Sequence, residues 1–290
     1  MNITYIIKNT DISIKQILKE HFEMSEKLII KLKKNQRIFI NQNPVYINHT
    51  ITSGDILSIN LNFDEDSENI VPNPDIPLDI LYEDDCLLII NKTARIPVHP
   101  SILHFKDSLS NSVKYYFEQN NIKRKIRPVN RLDKDTSGIV IFAKSDYIQE
   151  CLVKQMKTNT FKKYYIAILE GILDCKQGTI NAPISRKNNS IIEREISPTG
   201  DIAISHYKVL QENNNYSKVE FLLETGRTHQ IRLHSKHIGH PIVGDFLYGT
   251  RNNNLDRHLL HAYKIEFIHP ISKQKLVIQT DIPENFKEIL

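Results

Sequence analysis

Apolar and polar positions alternate along this chain in different rhythms, and each rhythm predicts a different element. Near the start, helical spacing appears twice. Ser13 is a candidate cap for a helix over residues 14–21, and Ser25 for one over residues 26–34. In the second, Leu28, Ile29 and Leu32 share one side, and Lys27, Lys31 and Lys34 line another. Short strand-like stretches follow at 37–40, 45–48 and 55–61. Further on, strands are predicted at 78–82, 87–91, 139–143, 163–169, 206–211, 217–223 and 276–280, with helices at 108–120 and 148–158. Several strands are joined too briefly for parallel crossovers. The pattern is α+β, with a mixed, largely antiparallel sheet and flanking helices.

One stretch breaks the rhythm. Asp64-Glu-Asp-Ser-Glu68 is a run of acid, and Pro72, Pro74 and Pro77 follow closely. Such a segment buries little apolar surface and continues neither a helix nor a central strand. It reads as a linker over 63–77, dividing a small unit (1–62) from a large one (78–290).

Composition narrows the class only modestly. A chain of 290 residues can hold a large and a small domain, and its formal charge of +4 suits a polyanionic partner without requiring one. Cys86, Cys151 and Cys175 are odd in number and far apart, which argues against a disulfide framework or a zinc site and for a reducing compartment. The first residues carry no long apolar run, so neither a signal peptide nor a membrane span is expected. A soluble cytoplasmic protein is the expectation.

The densest polar segment is Arg127 to Lys144. Asn130, Arg131, Asp133, Lys134, Asp135, Thr136 and Ser137 crowd together, then Gly138 opens the apolar run 139–143. A charged loop feeding a buried strand can hold a reactive group rigidly, although a solvated turn has the same composition. Asp133 and Asp135 raise the idea of paired carboxylates, but a turn or strand cap is the favoured role for Asp135. His229, His234, His237 and His240 cluster, with His258 and His261 later. None of the spacings is His-Glu-x-x-His and no cysteine is close, so no metal is expected.

The string Arg131-Leu-Asp-Lys-Asp-Thr-Ser-Gly138 closely resembles the signature of the RluA-type family of pseudouridine synthases. Two further blocks match in order: Lys163-Tyr-Tyr-Ile-Ala-Ile-Leu-Glu-Gly171, and Glu224-Thr-Gly-Arg-Thr-His-Gln-Ile-Arg-Leu-His234 with His240-Pro-Ile-Val-Gly-Asp245 beyond it. The first unit, two helices and a strand cluster ending in Ser-Gly-Asp-Ile-Leu57, resembles the small RNA-binding S4 domain. Between Ile12 and Asn62 it carries seven basic residues against four acidic ones, and Lys31, Lys33, Lys34 and Arg37 are expected to contact phosphates.

The resemblance implies the pseudouridine synthase fold and isomerisation of uridine in RNA, with no cofactor. The favoured substrate is large-subunit ribosomal RNA or its assembly intermediate; transfer RNA is possible. A monomer is expected. It implies Asp133 as the catalytic carboxylate, Arg227 as the guanidinium beside it, and Tyr165 packing on the flipped uracil. Arg131 would fill the vacated stack, and Ile231 and Leu233 would close the pocket's apolar wall. Asn130 departs from the family's common histidine and is expected to support the loop by hydrogen bonding. Two other readings remain: a catalytically silent RNA-binding or ribosome-assembly factor on this scaffold, and a glycosidase-like or nuclease activity using Asp133 and Asp135.

Overall fold

The computed structural model describes residues 1–8, 11–250 and 255–289. The N-terminal unit is a four-stranded antiparallel sheet in the order Asn2–Ile6, Ile56–Asn60, Ile38–Ile40, Asn43–Pro44. Its first helix begins at Ile14 behind a capping box: the Ser13 hydroxyl accepts from Gln16 N–H, and the Gln16 side chain accepts from Ser13 N–H. The helix continues as a π-turn over Ile17–His21. The Ser25 hydroxyl likewise accepts from Leu28 N–H at the start of Glu26–Lys34. Strand Asn2–Ile6 was not expected, because polar residues interrupt its pattern. The strand expected at 45–48 is replaced by Asn43–Pro44, set by a tight hairpin in which Asn41 and Gln42 both take positive φ.

The second unit is built on a nine-stranded sheet. Its order is Ile80–Glu83, Leu87–Lys92, Ser137–Ala143, Leu260–Ile268, Lys162–Glu170, Tyr216–Leu223, Ile204–Glu212 and Gln177–Asn181, with Lys275–Gln279 pairing off Leu260–Ile268. All pairings are antiparallel except that of Leu260–Ile268 with Ser137–Ala143. The central strands are buried on both faces, as their unbroken apolar runs require. Leu87, Ile89, Ile139 and Ile141 face one core, which continues into Ile148 and Leu152 of helix Asp146–Lys157 and into the N-terminal unit. Leu88, Ile90, Val140 and Phe142 face a second core under helix Leu109–Gln119, shared with Tyr165 and Leu132.

The segment expected to be a linker is packed down. The Phe63 ring is buried, Glu65 pairs with Arg127 (2.5 Å), and Asp66 pairs with Lys114. Asn73 N–H donates to Asn111 O. Glu65 and Asp66 find fixed cations there. The Lys31 ammonium, expected to meet phosphate, lies 2.7 Å from both Glu65 and Asp146 and 4.1 Å over the Phe63 ring, and ties the two units together. Lys33 and Lys34 are exposed, and Arg37 is half-buried against Phe63.

Several contacts fix the 130–136 segment. Gly138 has φ +116°, and a Cβ there would lie 2.2 Å from Ala262 O, so only glycine allows this approach of the two parallel strands. The Asn130 amide donates to Ile139 O and accepts from Ile141 N–H, both at 2.9 Å, which is the loop support expected of it. The fully buried Lys92 ammonium donates to Thr93 O, Ile96 O and Lys134 O. Burial lowers its pKa to about 7, against the pull of Asp135 and Asp133. Three carbonyls match the three donors of the charged form. Thr136 Oγ1 meets His258 Nε2, and Ser137 Oγ meets His261 Nδ1, each at 2.8 Å.

Gly138→Ala is expected to cost about 3 kcal/mol or more, read as a lower denaturation midpoint; a change within about 0.5 kcal/mol would mean the strands separate freely. Burial lowers His258 to about 3 and His261 to about 4, from 6.5. Below pH 6.5 the unfolded chain therefore binds protons that the folded chain refuses, and stability falls as pH falls toward 4. Each histidine contributes a slope of up to about 1.4 kcal/mol per pH unit. Denaturant unfolding from pH 7 to 4.5 should show this loss, with a shallower slope in His261→Gln.

Candidate active site

The three sequence blocks converge on a cleft of about 800 Å³. Asp133, Arg131 and Asn130 come from the loop before Ser137–Ala143. Lys163 and Tyr165 come from Lys162–Glu170. Residues Leu223 to Arg232 complete the lining. Asp133 sits in a turn closed by Thr136 N–H donating to Asp133 O (3.1 Å), with its side chain about one-quarter exposed. The chain thus delivers one carboxylate into the cleft on a turn pinned from behind.

The guanidinium facing it is that of Arg232. Arg232 Nη1 lies 3.6 Å from Asp133 Oδ2. Arg227, expected in that position, instead donates from Nε to Ile202 O (3.0 Å) and lies 3.6 Å from Asp201. It lines the cleft at its exposed edge. The reason is local: the chain turns helical at Gln230–His237, after His229 in a left-handed conformation, and swings Arg232 inward. The family resemblance assigns that place to Arg227, five residues earlier in the same block.

Arg232 is held by Asp245. Nε and Nη2 donate to the two oxygens of that fully buried carboxylate, both at 2.7 Å. Burial opposes the arginine's charge, but the hydrogen bonds and charge of Asp245 outweigh it and raise its pKa. Burial likewise opposes ionisation of Asp245, and Arg232 reverses the effect, leaving its pKa lowered. The fork is thus committed to Asp245, and Nη1 remains to face Asp133. At 3.6 Å this is attraction without a tight hydrogen bond, so Asp133 is oriented but not clamped.

His229 completes the setting. Its Nε2 lies 3.9 Å from Asp133 Oδ2, and its Nδ1 lies 3.0 Å from the Tyr248 hydroxyl. That hydroxyl accepts from Arg194 N–H at 2.7 Å. The arrangement is satisfied when the phenol donates to Nδ1, which puts the imidazole proton on Nε2, toward Asp133. Burial lowers the pKa of His229, overriding the opposite pull of Asp133, so the ring is neutral at pH 7.

Tyr165 is buried with its side chain on the cleft, and burial, then the Asp133 charge, raises its pKa well above the phenolic range. The phenol stays neutral and acts through its ring face. Tyr164 points the other way, under the Lys264 ammonium at 3.8 Å. Arg131 stands exposed at the rim. Ile231 is buried on the cleft wall, whereas Leu233 packs away from it with Ile184, Ala203 and Tyr248. Arg232, Asp245, His229 and Lys163 are site groups that the sequence reading left without a role.

The histidines do not gather into a metal site. His234 bonds Ser205 Oγ and Ala182 O, and His240 bonds Glu170 O. Among the described residues, one trio of possible ligands lies within reach: Asp84, Cys86 and His269. Burial pushes the Cys86 thiol up to about 12. His269 Nδ1 accepts from Ile271 and Ser272 N–H, which leaves the proton on Nε2, 3.0 Å from Asp84. A protonated thiol and a protonated nitrogen are poor ligands.

Comparison with known proteins agrees with this architecture. Residues 86–237 match the family described as RNA pseudouridylate synthase, and residues 1–57 match the RluD ribosomal pseudouridine synthase N-terminal domain. An uncharacterized RNA pseudouridine synthase of Bacillus subtilis, YhcT, is 39% identical over 275 residues, covering 94% of this chain and 90% of that protein. The ribosomal large subunit pseudouridine synthase D of Salmonella typhimurium is 32% identical over 271 residues, covering 88% and 82%. Among solved structures, human RNA pseudouridylate synthase domain containing 1 superposes with a TM-score of 0.59 at 25% identity, covering 73% of this chain and 86% of that one. With more than half its length matched, and with relatives above 30% identity along most of it, the chain belongs to the RNA pseudouridylate synthase family and is an isomerase of uridine in RNA.

Proposed function

We propose that this enzyme isomerises uridine in large-subunit ribosomal RNA, with Asp133 as its catalytic carboxylate. The observation that carries the reading is one ionisable carboxylate on a pinned turn, faced by Arg232, at a cleft that also holds the Tyr165 ring. The N1–C1′ bond of uridine breaks, the uracil turns, a C5–C1′ bond forms, and the C5 proton is replaced by one at N1. Atoms and electrons balance without a cofactor. A carboxylate serves at the sugar as nucleophile or base, as in glycoside chemistry, and the loose hold on Asp133 leaves it free to move toward C1′.

The uridine must first leave its stack, at a cost of a few kcal/mol. Arg131, exposed at the rim, would occupy the vacated space, while the Tyr165 ring packs on the uracil without choosing among bases. Ile231 supplies apolar wall. The exposed Lys33 and Lys34, with Arg37 beside them, would add phosphate contacts from the N-terminal unit. Support for the ribosomal target comes from the relatives named ribosomal large subunit pseudouridine synthase D and from the matching N-terminal domain. The three free cysteines suit the cytoplasm, where such RNA is made. Among the described residues no helix is long and apolar enough to cross a membrane.

Unmodified large-subunit ribosomal RNA carrying tritium at uracil C5 tests the reading. Wild-type protein should release tritium; Asp133→Asn should lose turnover by about three orders of magnitude or more while RNA affinity stays within about threefold. Equal loss of binding would remove Asp133 from the chemistry. Arg232→Lys, which keeps the charge but not the fork, should lower kcat by about a hundredfold, and Arg227→Ala by less than about tenfold. The reverse order would restore Arg227 as the partner of Asp133.

A further inference from the structure

Three lysines among the described residues are buried, and each has evident partners. Lys92 donates to three carbonyls, Lys114 pairs with Asp66 and Glu118, and Lys144 pairs with Glu83 and Asp84 O. Lys163 is half-buried and differs from them. Among the described residues it has no carboxylate, carbonyl or ring as partner, and it lines the cleft. Burial alone lowers its pKa to about 8, with no neighbouring charge to offset it. A half-buried amine with no anion beside it is open to an anionic ligand entering the cleft.

Its position defines what that ligand meets. Lys163 precedes Tyr165 by two residues on strand Lys162–Glu170, so both side chains leave the same face and enter the same cleft. Nζ lies 3.1 Å from where a Cβ on Gly226 would stand, so the absent side chain there gives the ammonium its place. Around it the cleft also carries Arg131, Lys157, Arg227 and Arg232 against Asp133 and Glu224. Both carboxylates already face cations or imidazoles: Asp133 faces Arg232 and His229, and Glu224 faces His206 at 2.5 Å. The anion is therefore left to the substrate.

We propose that Lys163 is the seat for a backbone phosphate of the RNA beside the nucleotide stacked on Tyr165, an assignment that rests on the cleft taking RNA. A point charge on a flexible stem suits a phosphodiester oxygen whose direction changes as the base swings in. The seat ties backbone position to base position: the phosphate is gripped on the strand that presents the aromatic face.

The test uses an unmodified large-subunit ribosomal RNA transcript with wild type, Lys163→Met and Lys163→Arg. Lys163→Met should bind more weakly, with a log–log salt slope shallower by about one, and its loss of turnover should fall mainly on KM, by about tenfold. Lys163→Arg should keep the slope. Thermal melting separates this from a structural role: Lys163→Met should leave Tm unchanged within about 2 °C, since it removes no partner contact in the free protein. An unchanged slope, a loss confined to kcat, or a lowered Tm would each overturn the assignment. Failure of the wild type to bind the RNA would instead overturn the functional reading, and this one with it.

Discussion

The site depends on one buried guanidinium. Arg232 must stay charged in a poorly solvated position, and Asp245, with none of its surface exposed, satisfies it through a two-pronged hydrogen bond. Asp245 is itself fixed by accepting from the backbone N–H groups of Leu247 and Tyr248. This chain of contacts decides where the positive charge facing Asp133 stands. Breaking such a pair from one side leaves a bare buried charge, which typically costs 3–5 kcal/mol. The geometry resists drift, although only one contact, at 3.6 Å, reaches the reactive carboxylate.

Rigidity and freedom are divided between the two carboxylates. Asp245 is clamped and does no chemistry on substrate; Asp133 is only attracted, and in the proposed reaction it is the group that has to move. The turn carrying Asp133 is anchored from behind by Lys92, His258 and His261, drawn from elements outside the cleft, and by Asn130 of its own loop. Lys163 follows a related logic. It has no carboxylate beside it among the described residues, and the proposed phosphate would supply the missing anion.

The N-terminal unit belongs to the same mechanical frame. Lys31 bridges Glu65 and Asp146, Ser25 Oγ donates to Glu150 (2.6 Å), and the buried apolar residues run continuously from Ile3 to Phe267. The acidic segment between the units lies along the larger one as a strap. Basic residues that look alike in sequence therefore divide, some into the seam and others, such as Lys33 and Lys34, onto the open surface.

Much of this was legible in the chain alone. The alternation of the central strands, the Ser13 and Ser25 caps, and the polar loop before Gly138 are local signals, set by propensity, capping and burial within a few residues. They carry the α+β class, while the family resemblance pointed to Asp133 and Tyr165, which line the cleft. What the sequence could not decide was which arginine meets Asp133. Arg227 and Arg232 lie in one motif, and a helix beginning after a left-handed His229 turns the second inward while Asp201 and Ile202 O take up the first. The fates of Lys31 and Lys163 were equally hidden, because a lysine's role depends on whether distant segments bring it a carboxylate. Those partners lie 34 and 115 positions away for Lys31, and none arrives for Lys163 among the described residues. Patterns of burial are written locally; the pairing of charges is made only when the chain closes on itself.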